Sequence, residues 1–355
     1  MKTNWERTVY DCMCKVNQLE IEQRTDPLSD IVEDDRYFRT QKKRLNAVMD
    51  GDRTRGIQRQ KNELRLKVID VKREKERIHV HCRARRKLWY QLGDQTYAEE
   101  RVEKYRLTLT ETPRSLDQWK VSFLTQDDDE ENTTRFVSGE ASGFVASEDA
   151  YALESAKIHS AWDTDVGQAK RPSVPYLHSS LRPAQEKRKI RYNREAVRRY
   201  ADTWWDYPNP DYIHFQVDCT NFVSQCLYAG GVPMDYTGKR DRGWWYRKQN
   251  GKEAWSFSWS VAHSLYWYLS NPRSVFRARQ VESPQLLDIG DVIFYDWEGN
   301  GRFGHSTIVT GHDADGMPLV NAHTSNSKRR YWDYRDSTAW TENTRYRFFH
   351  IPDWL

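Results

Sequence analysis

Apolar and polar positions follow two different periods in the first part of the chain. At the very start, apolar residues recur at steps of three and four, the spacing of one face of a helix: Trp5, Val9, Cys12, Val16 and Leu19. A second helix is predicted over about 35–50. Further on, apolar and polar residues alternate in four runs, centred on Leu66, Val80, Leu107 and Val121. Strict alternation of apolar and polar residues predicts antiparallel strands that bury one face and expose the other to solvent. We therefore expect an α+β domain with helices laid on a curved antiparallel sheet.

A change of composition then divides the chain. Residues 166–185 carry three prolines together with serine and glycine, which predicts a linker. We expect one domain over 1–165 and a second over 186–355, and 355 residues leave room for both. The basic stretch that follows the linker leads into an apolar helical face, so we interpret it as the solvated side of a helix with Asn193 as its N-cap.

One short helix of the second domain carries a candidate nucleophile. The segment from Asp218 to Gly231 reads DCTNFVSQCLYAGG, and its apolar residues recur at helical spacing until the glycine pair ends the helix. Cys226 lies mid-helix among apolar residues and is expected in the core. Cys219 lies in the first turn, where unpaired backbone N–H groups and the helix dipole stabilise a thiolate. Cys219 is therefore the candidate nucleophile.

A candidate base lies about 90 residues further on. The segment GHSTIVTG, Gly304 to Gly311, follows a predicted strand and turn, and His305 begins the next strand. On the strand after that, period two puts Asn321 and His323 on one face. A thiolate–imidazolium pair needs a third group that holds the tautomer of the ring, and either Asn321 or His323 could supply it.

Four segments, in this order and spacing, resemble the putative amidase domain family over about Tyr192 to the C-terminus: DCTNFVSQCLYAGG, LLDIGDVIFYDW (Leu286 to Trp297), GHSTIVTG and NAHTSN (Asn321 to Asn326). That family belongs to the papain-like cysteine hydrolases, near the NlpC/P60 and CHAP domains. The resemblance implies a papain-like helix plus antiparallel sheet, with a catalytic Cys, His and polar residue at Cys219, His305 and His323, and with Asn321 as the rival for the third place. The first domain lies outside it and loosely resembles the NTF2-like cone fold in its order of elements.

The resemblance also implies the role of each residue. Cys219 would attack the carbonyl carbon of an amide, and His305 would take the thiol proton and deliver it to the leaving amine. The backbone N–H of Cys219 is one expected oxyanion donor, and either Gln216 or Asn221 could add a side-chain donor. Asp218 is expected to cap the helix.

A tryptophan pair and a possible zinc site are the two further candidate features of the second domain. Trp244 and Trp245 could line a groove that grips sugars or peptides, or they could belong to the core. Cys219, His305 and His323 are residue types that bind zinc, but they lack the close spacing of metal ligands. We therefore predict neither a metal nor a cofactor.

Charge and hydropathy limit the partners. A net charge of +4 is too small to indicate nucleic-acid binding, and no apolar run is long enough for a membrane span. Five cysteines without disulfide spacing and an N-terminus without an apolar segment favour a reduced, cytoplasmic setting.

The substrate class follows from the resemblance, and a second function stays open beside it. We expect an amide- or peptide-containing substrate, with cell-wall peptides as one candidate class. A wall substrate would require release of the protein by another route, such as lysis. The alternative is a non-catalytic interaction protein whose first domain pairs with itself or with a partner and whose second domain only binds.

Overall fold

The computed structural model describes residues 4–112, 118–126 and 190–355, and these form two compact units. The first unit contains the described residues up to 126 together with 313–316 and 325–342. The second contains 190–312, 317–324 and 343–355. The domain limits expected from the sequence stay predictions, and the predicted linker 166–185 lies outside the described residues.

Within the described residues there are six α-helices and twelve strands. The helices are α1 (Asn4–Glu22), α2 (Asp35–Arg55), α3 (Arg194–Trp204), α4 (Cys219–Ala229), α5 (Phe257–Ser260) and α6 (Ala262–Ser270). The strands are β1 (Gln58–Glu74), β2 (Arg77–Leu92), β3 (Gln95–Glu111), β4 (Trp119–Gln126), β5 (Tyr246–Gln249), β6 (Lys252–Trp255), β7 (Arg279–Val281), β8 (Val292–Asp296), β9 (His305–His312), β10 (Pro318–Ala322), β11 (Ser327–Tyr331) and β12 (Arg345–His350). No helix among them combines the length and hydropathy of a bilayer crossing.

The first unit packs α1 and α2 with an antiparallel sheet. Strands β1, β2 and β3 pair in that order, and β4 and β11 both pair with β3. The apolar stripe of α1 is buried, and the alternate residues Ile78, Val80, Cys82 and Ala84 of β2 face the same core. The helices and strands expected from the two periods are therefore confirmed.

The inward-facing row of β2 also contains a buried arginine. Arg86 continues the inward row and is 2% exposed, and its guanidinium contacts Glu20 of α1, which is fully buried. Arg44, Arg59 and Arg101 also form ion pairs with Glu20. Burial alone would raise the pKa of Glu20, but the charges of these arginines outweigh it and hold that pKa well below its ordinary range.

The second unit is built on a five-stranded antiparallel sheet. Its order is β10-β9-β8-β12-β7, with β5 and β6 forming a separate hairpin. The apolar residues of α3 and α4 form one core with Val292, Phe294 and Ile308 of the sheet. Asn193 caps α3, since its side chain accepts from the N–H of Ala196, as the sequence predicted. The α+β class is confirmed, and the papain-like and NTF2-like likenesses stay predictions.

Candidate active site

Helix α4 begins at Cys219. The residue before it, Asp218, has non-helical backbone angles (φ −115°, ψ 5°), and its carbonyl accepts the first bond of the helix from Phe222 N at 3.0 Å. The helix ends at Ala229, and the glycine pair after it ends the helix as predicted. Every residue from Cys219 to Leu227 is buried, so α4 is enclosed on all sides. Cys219 itself is 2% exposed.

The second cysteine of α4 differs from the first in its surroundings. Cys226 is fully buried in the apolar core of the unit. Burial, followed by the charge of Asp202, raises the pKa of the Cys226 thiol well above its ordinary value. Cys226 is therefore a poor nucleophile at neutral pH.

The candidate base lies where α4 begins. Strand β9 starts at His305, and the next residue, Ser306, places its hydroxyl 3.0 Å from the hydroxyl of Thr220. Thr220 directly follows Cys219, so this contact joins the residue after the candidate nucleophile to the residue after the candidate base. The start of the helix and the start of the strand are therefore adjacent.

Aromatic rings surround His305 on the other face of the sheet. His305 pairs with Tyr295 across β8 and β9, while its neighbour Ser306 faces α4. Its ring lies 5.3 Å from the ring of Tyr295 and 5.9 Å from that of Trp297, centroid to centroid, and is nearly parallel to the indole at 25°. The imidazole, 1% exposed, thus packs against two large rings, which also stack on each other with centroids 5.1 Å apart.

His323 has partners other than those expected. The residue lies just past the end of β10, and its Nδ1 is 2.7 Å from Oδ2 of Asp218. Its Nε2 is 2.7 Å from the carbonyl oxygen of Trp204, the last residue of α3. Both ring nitrogens are engaged, so neither remains to orient His305. The hydrogen bonds of His323 thus run to Asp218 and Trp204, and its predicted role toward His305 stays a prediction.

Asn321, the rival for the third position, faces the same core as α4. It pairs with Ile308, so its side chain lies on the sheet face of Ser306 and opposite that of His305. Its Oδ1 accepts from the hydroxyl of Thr310 at 2.8 Å, and its Nδ2 donates to Asp202 at 3.0 Å. These two bonds tie β9, β10 and α3 together. A role of Asn321 toward His305 stays a prediction.

The side chain of Asp218 accepts several hydrogen bonds, but none of them caps the helix. The expectation that Asp218 caps α4 with its side chain is therefore corrected. Its carboxylate accepts from Phe215 N at 3.0 Å and from the side chains of Asn221 and His323. Nδ1 of His214 lies 3.5 Å away. Burial alone would raise the pKa of Asp218. The charge and hydrogen bonding of His214, followed by those of His323, outweigh it and hold that pKa well below its ordinary value.

The two candidate oxyanion donors differ in position. Asn221 is fully buried, donates to the carbonyl of Ile213 and to Asp218, both at 2.8 Å, and accepts from the indole N–H of Trp259 at 2.8 Å. Its amide is therefore fully used within the fold. Gln216 is exposed in the loop that leads into α4. Of the two, Gln216 remains the candidate donor.

The tryptophan pair belongs to the core. Trp244 is fully buried and donates to the hydroxyl of Ser224 at 2.9 Å. Trp245 is 2% exposed and donates to the carbonyls of Lys239 and Arg242. Neither indole presents a face to a ligand, so the expected groove is corrected in favour of the core alternative.

Several residues of the site were missed by sequence reasoning. They are Thr220 and Ser306, which join the helix to the strand, and His214 and Thr324, which contact Asp218. His214 lies four residues before Asp218. In a loop, unlike in a helix, that spacing does not bring two side chains together, so the sequence pattern did not indicate the contact. In the parts of the chain that the structure describes, no group of three His, Cys, Asp or Glu side chains is arranged to hold a metal ion.

Comparisons with known proteins place the site in a matched region. The family described as "putative amidase domain" matches residues 191–349. The chain is 51% identical over 198 residues to the uncharacterized protein YhbB of Bacillus subtilis (strain 168), covering 54% of this chain and 62% of that protein. It is 27% identical over 143 residues to the uncharacterized protein YjcM of the same organism, covering 38% of this chain and 31% of that protein. The chain thus spans under two thirds of the length of either relative.

One solved structure is also similar in part. It is the crystal structure of the intermembrane space region of the chloroplast protein ARC6, with 15% identity and a TM-score of 0.25, covering 36% of this chain and 96% of that structure. A score this low carries no argument about fold or function.

Proposed function

We propose that the second unit hydrolyses an amide bond with Cys219 as the nucleophile and His305 as its general base. The family match over 191–349 points to hydrolysis of amide bonds. Both residues lie within that range, and a cysteine at a helix start with a nearby histidine is the arrangement that amide hydrolysis through a thioester requires.

The observation that carries this proposal is the contact between Thr220 and Ser306. Their hydroxyls are 3.0 Å apart, and each directly follows one of the two reacting residues. Because consecutive Cα atoms are about 3.8 Å apart, this contact brings the backbones of Cys219 and His305 close together. The start of α4 and the start of β9, about 85 residues apart in sequence, thus lie next to each other, and this adjacency supports the proposed pair of Cys219 and His305.

The chemistry follows from this arrangement. His305 takes the proton of Cys219, and the thiolate attacks the amide carbon to give a tetrahedral oxyanion. The backbone N–H groups of the first turn of α4, with Gln216 as the candidate side-chain donor, stabilise that oxyanion. His305 then gives its proton to the leaving amine. A water molecule, deprotonated by His305, hydrolyses the thioester and restores the thiol.

The third position of a triad remains a proposal of its own. With both nitrogens of His323 engaged elsewhere, the stack against Tyr295 and Trp297 supports an orientation of His305 by packing. Asn321, the alternative third residue, faces the opposite side of the sheet from His305 and bonds to Thr310 and Asp202, which weighs against it as a hydrogen-bonded third residue. For the substrate, we propose a peptide or peptide-like amide, with peptides of the cell wall as the first class to test.

The proposal is tested by hydrolysis of three amide classes: a short free peptide, an N-acetylmuramoyl peptide and a small primary amide. Release of amine or ammonia is measured for the wild type and for Cys219→Ser. We expect release from at least one class by the wild type and none by Cys219→Ser. Cys226→Ala is the matched control, because it changes a cysteine of the same helix that lies in the apolar core.

Two outcomes would contradict the proposal. Equal release by the wild type and Cys219→Ser would remove Cys219 from the reaction. No release from any class by the wild type, together with no preferential alkylation of Cys219, would favour the non-catalytic binding protein.

A further inference from the structure

We infer that His323 is a positioning residue for Cys219: as an imidazolium it neutralises the carboxylate of Asp218, the residue that precedes the nucleophile, and it ties the start of α4 to the end of α3. The inference rests on the proposed role of Cys219 as nucleophile. It assigns to His323 a task that does not involve contact with His305.

The hydrogen bonds of His323 define its charge. Nδ1 faces the Asp218 carboxylate and Nε2 faces the Trp204 carbonyl, each at 2.7 Å. Both of these groups are acceptors only, so both bonds form together only when both nitrogens carry hydrogen, which is the imidazolium form. Trp204 is the last residue of α3, where the helix dipole is negative and favours a cation.

The ring of Phe222 adds to this arrangement. It lies 4.1 Å from the imidazole, centroid to centroid, with an angle of 19° between the planes. A cation over an aromatic face is stabilised by the ring quadrupole. The carboxylate, the helix end and the ring therefore all favour a positive charge on His323, which is 2% exposed.

The residue after His323 completes the attachment. The hydroxyl of Thr324 accepts from the backbone N–H of Asp218 at 2.8 Å. Thr324 has φ 55°, in the left-handed region that a β-branched residue rarely adopts. Backbone strain of this kind persists only where surrounding contacts enforce it. Residues 323 and 324 thus hold Asp218 by both its side chain and its backbone.

Neutralisation matters because Asp218 directly precedes Cys219. A negative charge beside a thiol opposes formation of the thiolate and raises the thiol pKa. The groups that face the Asp218 carboxylate are His323, His214, the amide of Asn221 and Phe215 N. His214 is a third exposed and 3.5 Å away, so His323 is the buried and closer of the two imidazoles.

The test is the rate at which iodoacetamide alkylates Cys219 in the full chain between pH 5 and pH 10, followed by peptide mapping. We expect His323→Gln to slow alkylation about tenfold near neutral pH, because an uncompensated carboxylate raises the thiol pKa. We expect Asp218→Asn to be no slower than the wild type. The double variant should lie within about threefold of the wild type, because both charges are gone.

A purely structural role predicts a different pattern. It would make Asp218→Asn as slow as His323→Gln, and the double variant at least as slow as either, and each of these results would overturn the inference. His350→Gln is the matched control, since His350 pairs with the buried carboxylate of Asp291 at 2.8 Å in the same unit. An effect of His323→Gln no larger than that of His350→Gln would also overturn it.

Failure of the proposed function gives a distinct result. In that case wild-type Cys219 would alkylate no faster than Cys226 at any pH. If His323→Gln does not fold, Asp218→Asn still tests the inference by itself. Slower alkylation of Cys219 in that variant than in the wild type would contradict the charge argument.

Discussion

Replacing Asn221 by alanine should destabilise the second unit strongly. The Asn221 side chain is fully buried and makes three hydrogen bonds, all at 2.8 Å. Its removal leaves the Ile213 carbonyl, the Asp218 carboxylate and the Trp259 indole N–H each short of a partner. Each orphaned buried group costs about 1–3 kcal/mol, and such costs are not fully additive. We therefore expect a loss of about 3–5 kcal/mol in the free energy of unfolding.

Cys226 provides a local probe for this measurement. Its side chain is fully buried in α4, so alkylation reports opening of the second unit. The full chain is incubated in increasing urea, pulsed with iodoacetamide, digested and analysed by tandem mass spectrometry, which distinguishes Cys226 from Cys219. The midpoint of Cys226 labelling should fall to much lower urea in Asn221→Ala.

Asn193→Ala is the matched control, because it removes the same kind of side chain but only one hydrogen bond, which Asn193 Oδ1 accepts from Ala196 N at 3.0 Å. Loss of an N-cap costs about 1 kcal/mol. A midpoint shift in Asn221→Ala no larger than in Asn193→Ala would refute the reasoning. Unchanged stability with lost amide hydrolysis would instead make Asn221 an oxyanion donor.

Three further predictions concern other positions. Cys226 should alkylate far more slowly than Cys219 in the folded chain, since burial raises its pKa, and peptide mapping of native protein checks this. Glu20→Gln should destabilise α1 by about 3–5 kcal/mol in hydrogen exchange, because it removes the buried carboxylate that four arginines share. The Glu20 pKa is depressed on folding, so the stabilisation is present above its unfolded pKa of about 4.3 and is lost as pH falls toward the folded value, a loss that Glu20→Gln should lack. Gly243→Ala should lower thermal stability, because φ is 71° and the new Cβ would clash with the Asp235 carbonyl oxygen; an unchanged melting temperature would contradict this.

The positions of the two candidate catalytic residues could be predicted because they depend on local patterns. Cys219 begins α4 and His305 begins β9 as periodicity and turn residues indicated. The strands of the first unit were predictable for the same reason. Alternation did not show that Arg86 faces inward, because its burial depends on Glu20, which lies 66 residues earlier on α1.

The partners within the site could not be predicted because they come from distant segments. Period two placed Asn321 and His323 on one face, but β10 ends before His323, and its ring contacts Trp204, which lies 119 residues earlier. Asn221 lies outside the apolar stripe of α4, yet it is buried because the helix is enclosed on all sides. The spacing of Trp244 and Trp245 likewise gave no sign of the carbonyls and hydroxyl that hold their indoles in the core.

The pH dependence of Cys219 alkylation in the wild type and in His305→Gln tests the central claim most directly. If His305 is the base of Cys219, the wild-type rate should rise with an apparent pKa below the ordinary value for cysteine of about 8.5, because an imidazolium stabilises the thiolate. In His305→Gln that apparent pKa should move up toward the ordinary value or above it. Superimposable profiles for the two proteins would contradict the Cys219–His305 pair and the amide hydrolysis proposed from it.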